Sequence, residues 1–167
     1  GEPAYVRVAS LSPGQDVVAR GDIAPAPNPL ILSLSDHVYP SPAMSLTAGY
    51  TVGGKWAFIS IGKHAIDDQN SQMKLYGNYG VTYKISVKMD NPTSETKKVS
   101  VLFEPSAGLA SGVFIIDGAF VSTKYAQPPS EVILASYSLK PGETRNVVIT
   151  TVPVAGSNYP ATLVVRS

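Results

Sequence analysis

The chain has 167 residues, of which 44% are hydrophobic and only 15% charged, with thirteen basic side chains against twelve acidic ones. This length fits one domain with or without an appended arm, and such a domain needs no metal or disulfide to hold its core. The balanced charge argues against nucleic acid as a partner. The absence of cysteine excludes thiolate metal sites and cysteine nucleophiles. No apolar run approaches the ~20 residues of a membrane span.

Residues 1–44 are rich in proline and contain seven of the fourteen prolines in the chain. Short strand-like runs at residues 5–8, 16–20 and 30–34 are separated by proline-containing turns, which disfavour a continuous sheet. We therefore predict a Pro-rich N-terminal arm over residues 1–44 that packs on the core, with a disordered linker as the alternative. The remaining residues, 45–167, are predicted to form one β-sandwich domain.

Residues 48–54 contain three glycines and are predicted to form a turn before the first strand of this domain. The strand predicted over residues 55–62 is apolar on both faces, since Trp56 and Phe58 alternate with Ala57 and Ile59. Such a pattern is typical of a strand buried on both sides, and it places Trp56 in the core. Residues 63–72 are the most polar stretch and are predicted to form a loop or one short helical turn.

Two alternating runs form the clearest pattern in the chain. Apolar residues occupy every second position over residues 81–89, and the same alternation resumes over residues 98–104. This period of two predicts half-buried strands. Because the polar turn Asp90–Ser94 separates the two runs, we predict that they pair as an antiparallel hairpin.

Turn signals continue to the end of the chain. Asp117-Gly118 lies between two strand-like runs and predicts a type I′ hairpin. Further strands are predicted at residues 132–137, 145–151 and 159–166. The frequent turns predict an all-β fold, an antiparallel β-sandwich of the immunoglobulin or fibronectin-III type with about 7–9 strands.

Several short motifs give this chain a resemblance to a known group of proteins. They are Gly54-Lys55-Trp56-Ala57-Phe58, Gly77-Asn78-Tyr79-Gly80-Val81-Thr82-Tyr83, Asn91-Pro92-Thr93, Gly112-Val113-Phe114-Ile115-Ile116-Asp117-Gly118 and Gly156-Ser157-Asn158-Tyr159-Pro160. Across residues 54–165 the chain resembles bacterial extracytoplasmic immunoglobulin-like β-sandwich proteins of unassigned function. The resemblance implies a secreted, periplasmic or cell-surface location and a sandwich fold, and it implies no catalytic residues.

The candidates for metal chemistry are few. His64 precedes Asp67 and Asp68 by three and four residues, so an imidazole and two carboxylates are available as weak candidate ligands. This spacing matches no established metal motif and is more typical of a solvated loop. A metal-dependent hydrolase around His37 and His64 is the third hypothesis. The adjacent residues Ser35-Asp36-His37 do not indicate a catalytic triad, because a triad depends on geometry and no Gly-x-Ser-x-Gly elbow is present. No cofactor is predicted.

Aromatic side chains are the stronger functional candidates. Tyr50, Tyr76 and Tyr79, with Asn78 between the last two, are predicted to bind a ligand, because aromatic faces on a β-sandwich can stack on sugars. The leading hypothesis is a non-enzymatic secreted or cell-envelope module with a structural or interaction role. The alternative is a carbohydrate-binding module that uses these surface aromatics. The partner is expected to be a protein or a cell-wall glycan, and the oligomeric state is left open.

Overall fold

The computed structural model describes residues 43–67 and 73–167, and within these ranges it contains eleven strands. A single 3-10 turn, Tyr76–Asn78, interrupts them. In chain order the strands are β1 (Ala43–Thr51), β2 (Ala57–Ile61), β3 (Ile66–Asp67), β4 (Lys74–Leu75), β5 (Thr82–Asp90), β6 (Lys97–Pro105), β7 (Val113–Ile116), β8 (Ala119–Ser122), β9 (Val132–Leu139), β10 (Thr144–Thr151) and β11 (Ala161–Arg166).

Nine of these strands form two sheets whose inner faces share one core. The five-stranded sheet has the order β1-β5-β10-β7-β8, and the four-stranded sheet has the order β2-β11-β6-β9. Strands β3 and β4 form a separate two-stranded ribbon. All ladders are antiparallel except that between β1 and β5. The predicted all-β sandwich is therefore confirmed, and the nine strands of its two main sheets match the predicted number. The β3–β4 ribbon is additional, and the parallel β1–β5 ladder departs from the predicted antiparallel arrangement.

Alternation along the strands places the core between the two sheets. On β5 the side chains of Tyr83, Ile85, Val87 and Met89 are buried, whereas the residues between them point away from the core. Strand β6 contributes Phe103, whose ring meets Phe114 of β7 at a centroid distance of 5.6 Å in an edge-on arrangement. These rings belong to different sheets, so this contact joins the two layers.

The predicted hairpin between β5 and β6 is wrong. Both segments are strands, but β5 lies in the five-stranded sheet and β6 lies in the four-stranded one. Alternation fixes which side chains face the core, and that face is the same whether the two strands pair or lie opposite each other. The turn after Asp90 therefore carries the chain from one sheet to the other.

Asn91 holds this crossing in place. Its buried side chain donates through Nδ2 to the carbonyl oxygens of Glu95 (2.8 Å), Leu139 (2.9 Å) and Lys140 (3.1 Å). Its Oδ1 accepts from the Thr93 amide and hydroxyl at 3.1 and 2.7 Å. Leu139 ends β9, and the next strand, β10, again belongs to the opposite sheet. One asparagine thus ties together two sheet-crossing connections.

Residues 48–51, predicted as part of a glycine-rich turn, instead belong to β1. The glycine-rich turn is shorter, and it lies where Gly53 has a φ of 83° and the Gly54 amide donates to the Thr51 carbonyl oxygen. By contrast, the hairpin predicted at Asp117-Gly118 is confirmed, with φ of 48° and 84° at its two central residues. Only Ala43 and Met44 of the predicted arm fall in the described part, where they begin β1.

The strand-like runs predicted at residues 5–8, 16–20 and 30–34 lie outside the described residues, as do His37 and Asp68. Within the described ranges no helix is long and apolar enough to cross a membrane.

Candidate functional site

Tyr50 does not lie at the surface. Its side chain is buried on the inner face of β1, in phase with Leu46 and Ala48. The hydroxyl accepts a hydrogen bond from the Ser167 amide (2.9 Å) and lies 2.7 Å from the Ser167 hydroxyl. In this position the ring cannot stack on a sugar from solution, so its predicted ligand-binding role is corrected to a role in the core.

Asn78 is also fully buried, within the 3-10 turn. Its Nδ2 donates to the Tyr83 hydroxyl (2.6 Å) and to the His64 carbonyl oxygen (3.0 Å). The same Tyr83 hydroxyl accepts from the Gly62 amide at 3.0 Å. Asn78 therefore fastens the turn to β5 and to the end of β2, and it does not present polar groups to a ligand as predicted.

Tyr76 and Tyr79 remain accessible, and Tyr76 is the most exposed aromatic residue described, at 73%. The Tyr79 hydroxyl donates to the Ser157 carbonyl oxygen (2.8 Å), and its ring meets the Tyr159 ring edge-on at a centroid distance of 5.9 Å. These contacts hold Tyr79 in one orientation while leaving part of the ring in solvent.

Tyr125 lies beside the same loop and was not singled out from the sequence. It is exposed, and a Cβ placed on Gly156 would come within 3.4 Å of its hydroxyl. Gly156 adjoins Ser157, the residue bound by Tyr79. Tyr79 and Tyr125 thus lie beside the same loop, and Tyr76 belongs to the 3-10 turn just before Tyr79. We refer to these three exposed residues as the tyrosine end. The signal that could have identified Tyr125 is an aromatic residue in a segment without the alternation of a strand.

The weak metal candidates do not gather into a ligand set in the described part of the chain. The Asp67 carboxylate pairs with Lys74 (3.0 Å) across the β3–β4 ribbon, and both side chains are about half exposed. The His64 carbonyl is bound by Asn78. Among residues 43–67 and 73–167 no group of three His, Cys, Asp or Glu side chains is close enough to hold a metal ion.

A polar cluster connects the two sheets at the β9 edge. The Arg145 guanidinium lies 4.3 Å from the centre of the Tyr137 ring, and the Tyr137 hydroxyl donates to Oδ2 of Asp117 at 3.1 Å. Asp117 also accepts from the Val148 amide (2.9 Å) through its Oδ1. Each group has a partner within the cluster, which indicates a structural role for Asp117 and Tyr137.

Two tyrosines are expected to ionise late in an alkaline titration. Burial, followed by the Asp117 carboxylate, raises the pKa of Tyr137 to about 12, and burial raises that of Tyr159 to about 12. In the unfolded chain both ionise near pH 10. The stabilising effect of their neutral forms is complete below pH 10 and is lost between pH 10 and 12, so the melting temperature should fall over this range.

Absorbance of phenolate near 295 nm measures this titration directly. The Tyr159→Phe and Tyr137→Phe variants should each lose one late-ionising group. Ionisation of Tyr137 and Tyr159 near pH 10 in the folded protein would contradict this expectation.

The outer face of the four-stranded sheet carries an apolar row that crosses all four strands. Register places Phe58 beside Val164, Val164 beside Leu102, and Leu102 beside Ile133. Phe58 and Ile133, at the two edges, are 63% and 60% exposed, whereas the two central residues are buried. A sandwich sheet normally turns polar side chains outward, so this row is unusual for a face that looks away from the core.

Trp56 lies on the same face and is 47% exposed, so its predicted place in the core is wrong. It precedes β2, which is an edge strand of the sheet, and only one side of that strand meets the core. The Arg166 guanidinium lies 4.6 Å from the centre of a Trp56 ring and also pairs with Glu131. Because Glu131 precedes the opposite edge strand, β9, these contacts reach across the sheet.

A shallow cavity of about 210 Å³ lies beside this arrangement and is lined by Ser100, Leu102, Ile133, Arg166 and Ser167. We call the surface formed by Trp56, Phe58, Leu102, Ile133, Val164 and Arg166 the outer aromatic face. It combines exposed apolar area with a guanidinium held in a fixed position.

No protein-family model matches the chain, and no curated protein matches it. Among solved structures, the chain is similar to the pre-peptidase C-terminal domain of a collagenase from Bacillus anthracis, with a TM-score of 0.33 and 11% identity. The similarity covers 75% of this chain and 95% of that domain. At this TM-score it carries no argument about function.

Proposed function

We propose that this protein is a non-enzymatic interaction module of a secreted or cell-envelope protein. The observation that carries the proposal is the outer aromatic face, where Trp56, Phe58 and Ile133 are exposed on a sheet surface that a solitary sandwich would cover with polar residues. Aromatic residues and arginine are enriched where proteins bind one another. The extracytoplasmic setting is supported by the sequence resemblance described above.

The construction of this face favours recognition of a partner. The Arg166 guanidinium has its position fixed by Trp56 on one side and Glu131 on the other. Trp56, which immediately precedes β2, and Phe58 within it have ring centroids 6.3 Å apart. Side chains that are already ordered lose little conformational freedom on binding, so more of the contact energy appears as affinity.

A carbohydrate-binding module is the second candidate function, and the tyrosine end is the observation that favours it. Tyr76, Tyr79 and Tyr125 expose aromatic rings, and Tyr79 is held by Ser157 and Tyr159. Rings that combine an apolar face with a polar tip suit the faces and hydroxyls of sugars. In this version of the hypothesis Tyr50 and Asn78 support the fold, and Tyr125 takes a direct role.

Photo-crosslinking separates these two functions. A benzophenone amino acid is placed at Phe58, at Tyr79 or at Phe120, and each variant is irradiated with envelope and culture-medium fractions of the source organism. Phe120 is the matched control for Phe58, because it is also a largely exposed phenylalanine but lies on the outer face of the other sheet. Protein adducts from position 58 are expected. Ile133→Glu should reduce them about tenfold, because a charge would enter the contact.

Saccharide adducts confined to position 79 would favour the carbohydrate-binding module instead. If position 58 gave no adduct, or no more than position 120, the proposed role of the outer aromatic face would be contradicted.

A further inference from the structure

Two opposite charges stand at the two ends of the outer aromatic face. Lys98 and Glu104 both lie on β6 with side chains turned away from the core, and neither forms an ion pair with another of the described residues. Six residues of strand separate them by about 20 Å. Strand β6 is an inner strand of its sheet. The two charges therefore lie at opposite ends of an inner strand of this face.

Register divides the face into four rows that run across the strands. Glu104 pairs with Thr162, and Leu102 pairs with Val164 and so shares a row with Phe58. Ser100 shares its row with Arg166, and Lys98 pairs with Ser138 of β9. Trp56 falls in the row of Arg166, because the residue after it, Ala57, pairs with Val165. From one end to the other, the rows are acidic, apolar, aromatic with arginine, and basic.

This order is complementary to itself. Suppose that a second copy faces the first, related to it by a two-fold axis that runs across the strands between the row of Leu102 and the row of Ser100. This axis reverses the order of the rows, so the first row of one copy meets the fourth row of the other. Glu104 of each copy then lies opposite Lys98 of the other, so two opposite-charge pairs form. The same axis brings the second row onto the third, so Phe58 of each copy meets Trp56 of the other.

We propose that the outer aromatic face binds a second copy of this chain in a two-fold symmetric contact. The inference rests on the proposed interaction role of the face and names the partner. Self-complementary patches are what a two-fold dimer requires, because each residue must face a suitable residue of an identical surface. The net charge of +1 leaves little long-range repulsion between two copies.

The size of the face limits the strength of this dimer. Four strands at about 4.8 Å spacing and seven residues at about 3.3 Å give a footprint of roughly 440 Å². Stable complexes bury about 800 Å² on each partner, and weak or transient ones bury less. The expected dimer is therefore weak and forms in the micromolar-to-millimolar range, a range that sedimentation equilibrium can follow.

Charge exchange along β6 tests the geometry. The full 167-residue chain is compared with the Lys98→Glu, Glu104→Lys and Lys98→Glu/Glu104→Lys variants by sedimentation equilibrium up to about 1 mM. Each single variant replaces two attractive pairs with two repulsive ones and should weaken dimerisation about tenfold. The double variant restores opposite charges and should dimerise within about threefold of the unchanged chain. Melting temperatures confirm that each variant is folded.

A second pair of variants locates the contact. Ile133→Glu should weaken the dimer, whereas Ile115→Glu, at an exposed isoleucine on the opposite sheet, should not. A monomer at every concentration, or a dimer that responds to Ile115→Glu and not to Ile133→Glu, would overturn the inference. Failure of the double variant to recover would overturn the two-fold arrangement. Crosslinks from position 58 to a different protein, with this chain monomeric, would leave the proposed function standing and remove only the second copy as its partner.

Discussion

Replacing Phe103 by alanine is expected to lower the free energy of unfolding by about 3–5 kcal/mol. Phe103 is 0% exposed, and its ring meets Phe114 across the interface between the two sheets. Its loss leaves a cavity where the layers touch, and the surrounding strands can close only part of it. Urea unfolding followed by circular dichroism measures the change.

The control for this variant is Phe120→Ala. Phe120 is 71% exposed on β8, so its removal leaves no cavity, and the stability should change by no more than about 0.5 kcal/mol. Similar losses for the two variants would show that Phe103 does not lie at the centre of a two-layer core.

The Asn91→Ala variant is expected to lose about 2–4 kcal/mol of stability, because several buried hydrogen bonds are lost at once. The Asn91 side-chain amide donates hydrogen bonds to the carbonyl oxygens of Glu95, Leu139 and Lys140. Asn91 is only 1% exposed and lies between the two connections that cross from one sheet to the other. Alanine leaves these carbonyls with fewer partners in a place that water reaches poorly. Thermal and urea unfolding together give the change.

Two further variants identify the cause. Asn91→Asp keeps the oxygen that accepts from Thr93 but replaces the donor with a second acceptor that faces the carbonyl groups, so it should be at least as unstable as Asn91→Ala. Asn146→Ala, at an exposed position on β10, should change the stability by less than about 0.5 kcal/mol. If Asn91→Asp matched the natural chain, the donor role of the amide would be contradicted.

The sequence is informative about where the strands lie and which of their faces is buried, and less informative about which strands pair with one another. The alternation from Val81 to Met89 correctly predicts a strand with that set of buried residues, and Asp117-Gly118 correctly predicts a hairpin. The pairing of β5 with β6 is predicted wrongly, because two strands that face the same core show the same alternation whether they share a sheet or not. The contacts of Asn91 with the carbonyl groups of Leu139 and Lys140, 48 and 49 residues away, hold the crossing between the sheets and are not visible in the local sequence.

The burial of Tyr50 and Asn78 is missed for a related reason. The local sequence of Tyr50 does not show that its hydroxyl meets Ser167, and that of Asn78 does not show its contact with the Tyr83 hydroxyl. The apolar residues on both sides of Trp56 suggest a central strand, yet β2 lies at an edge. Whether an aromatic residue is in the core or in solvent depends on the strand order, which composition and periodicity do not contain.

The apolar row of the outer aromatic face is invisible in the sequence for the same reason. Phe58, Leu102, Ile133 and Val164 each occupy one position in a different strand, and only the ladders bring them into line. Each residue alone is an ordinary apolar position in an alternating pattern. The row exists only once the register is known.

The pairing pattern of the two sheets also has a consequence for how fast the chain reaches its native state. Of the ladders in the main sheets, only β7–β8 joins strands that follow each other directly, whereas β2–β11 pairs residue 61 with residue 161. Most native pairs must therefore close long loops before they gain any contact, which is the signature of high contact order. Refolding is expected on the slow side for a domain of this size, in milliseconds to seconds. During that interval the apolar edges of unfinished sheets stand exposed, so dilute conditions should favour recovery of the native protein over aggregation.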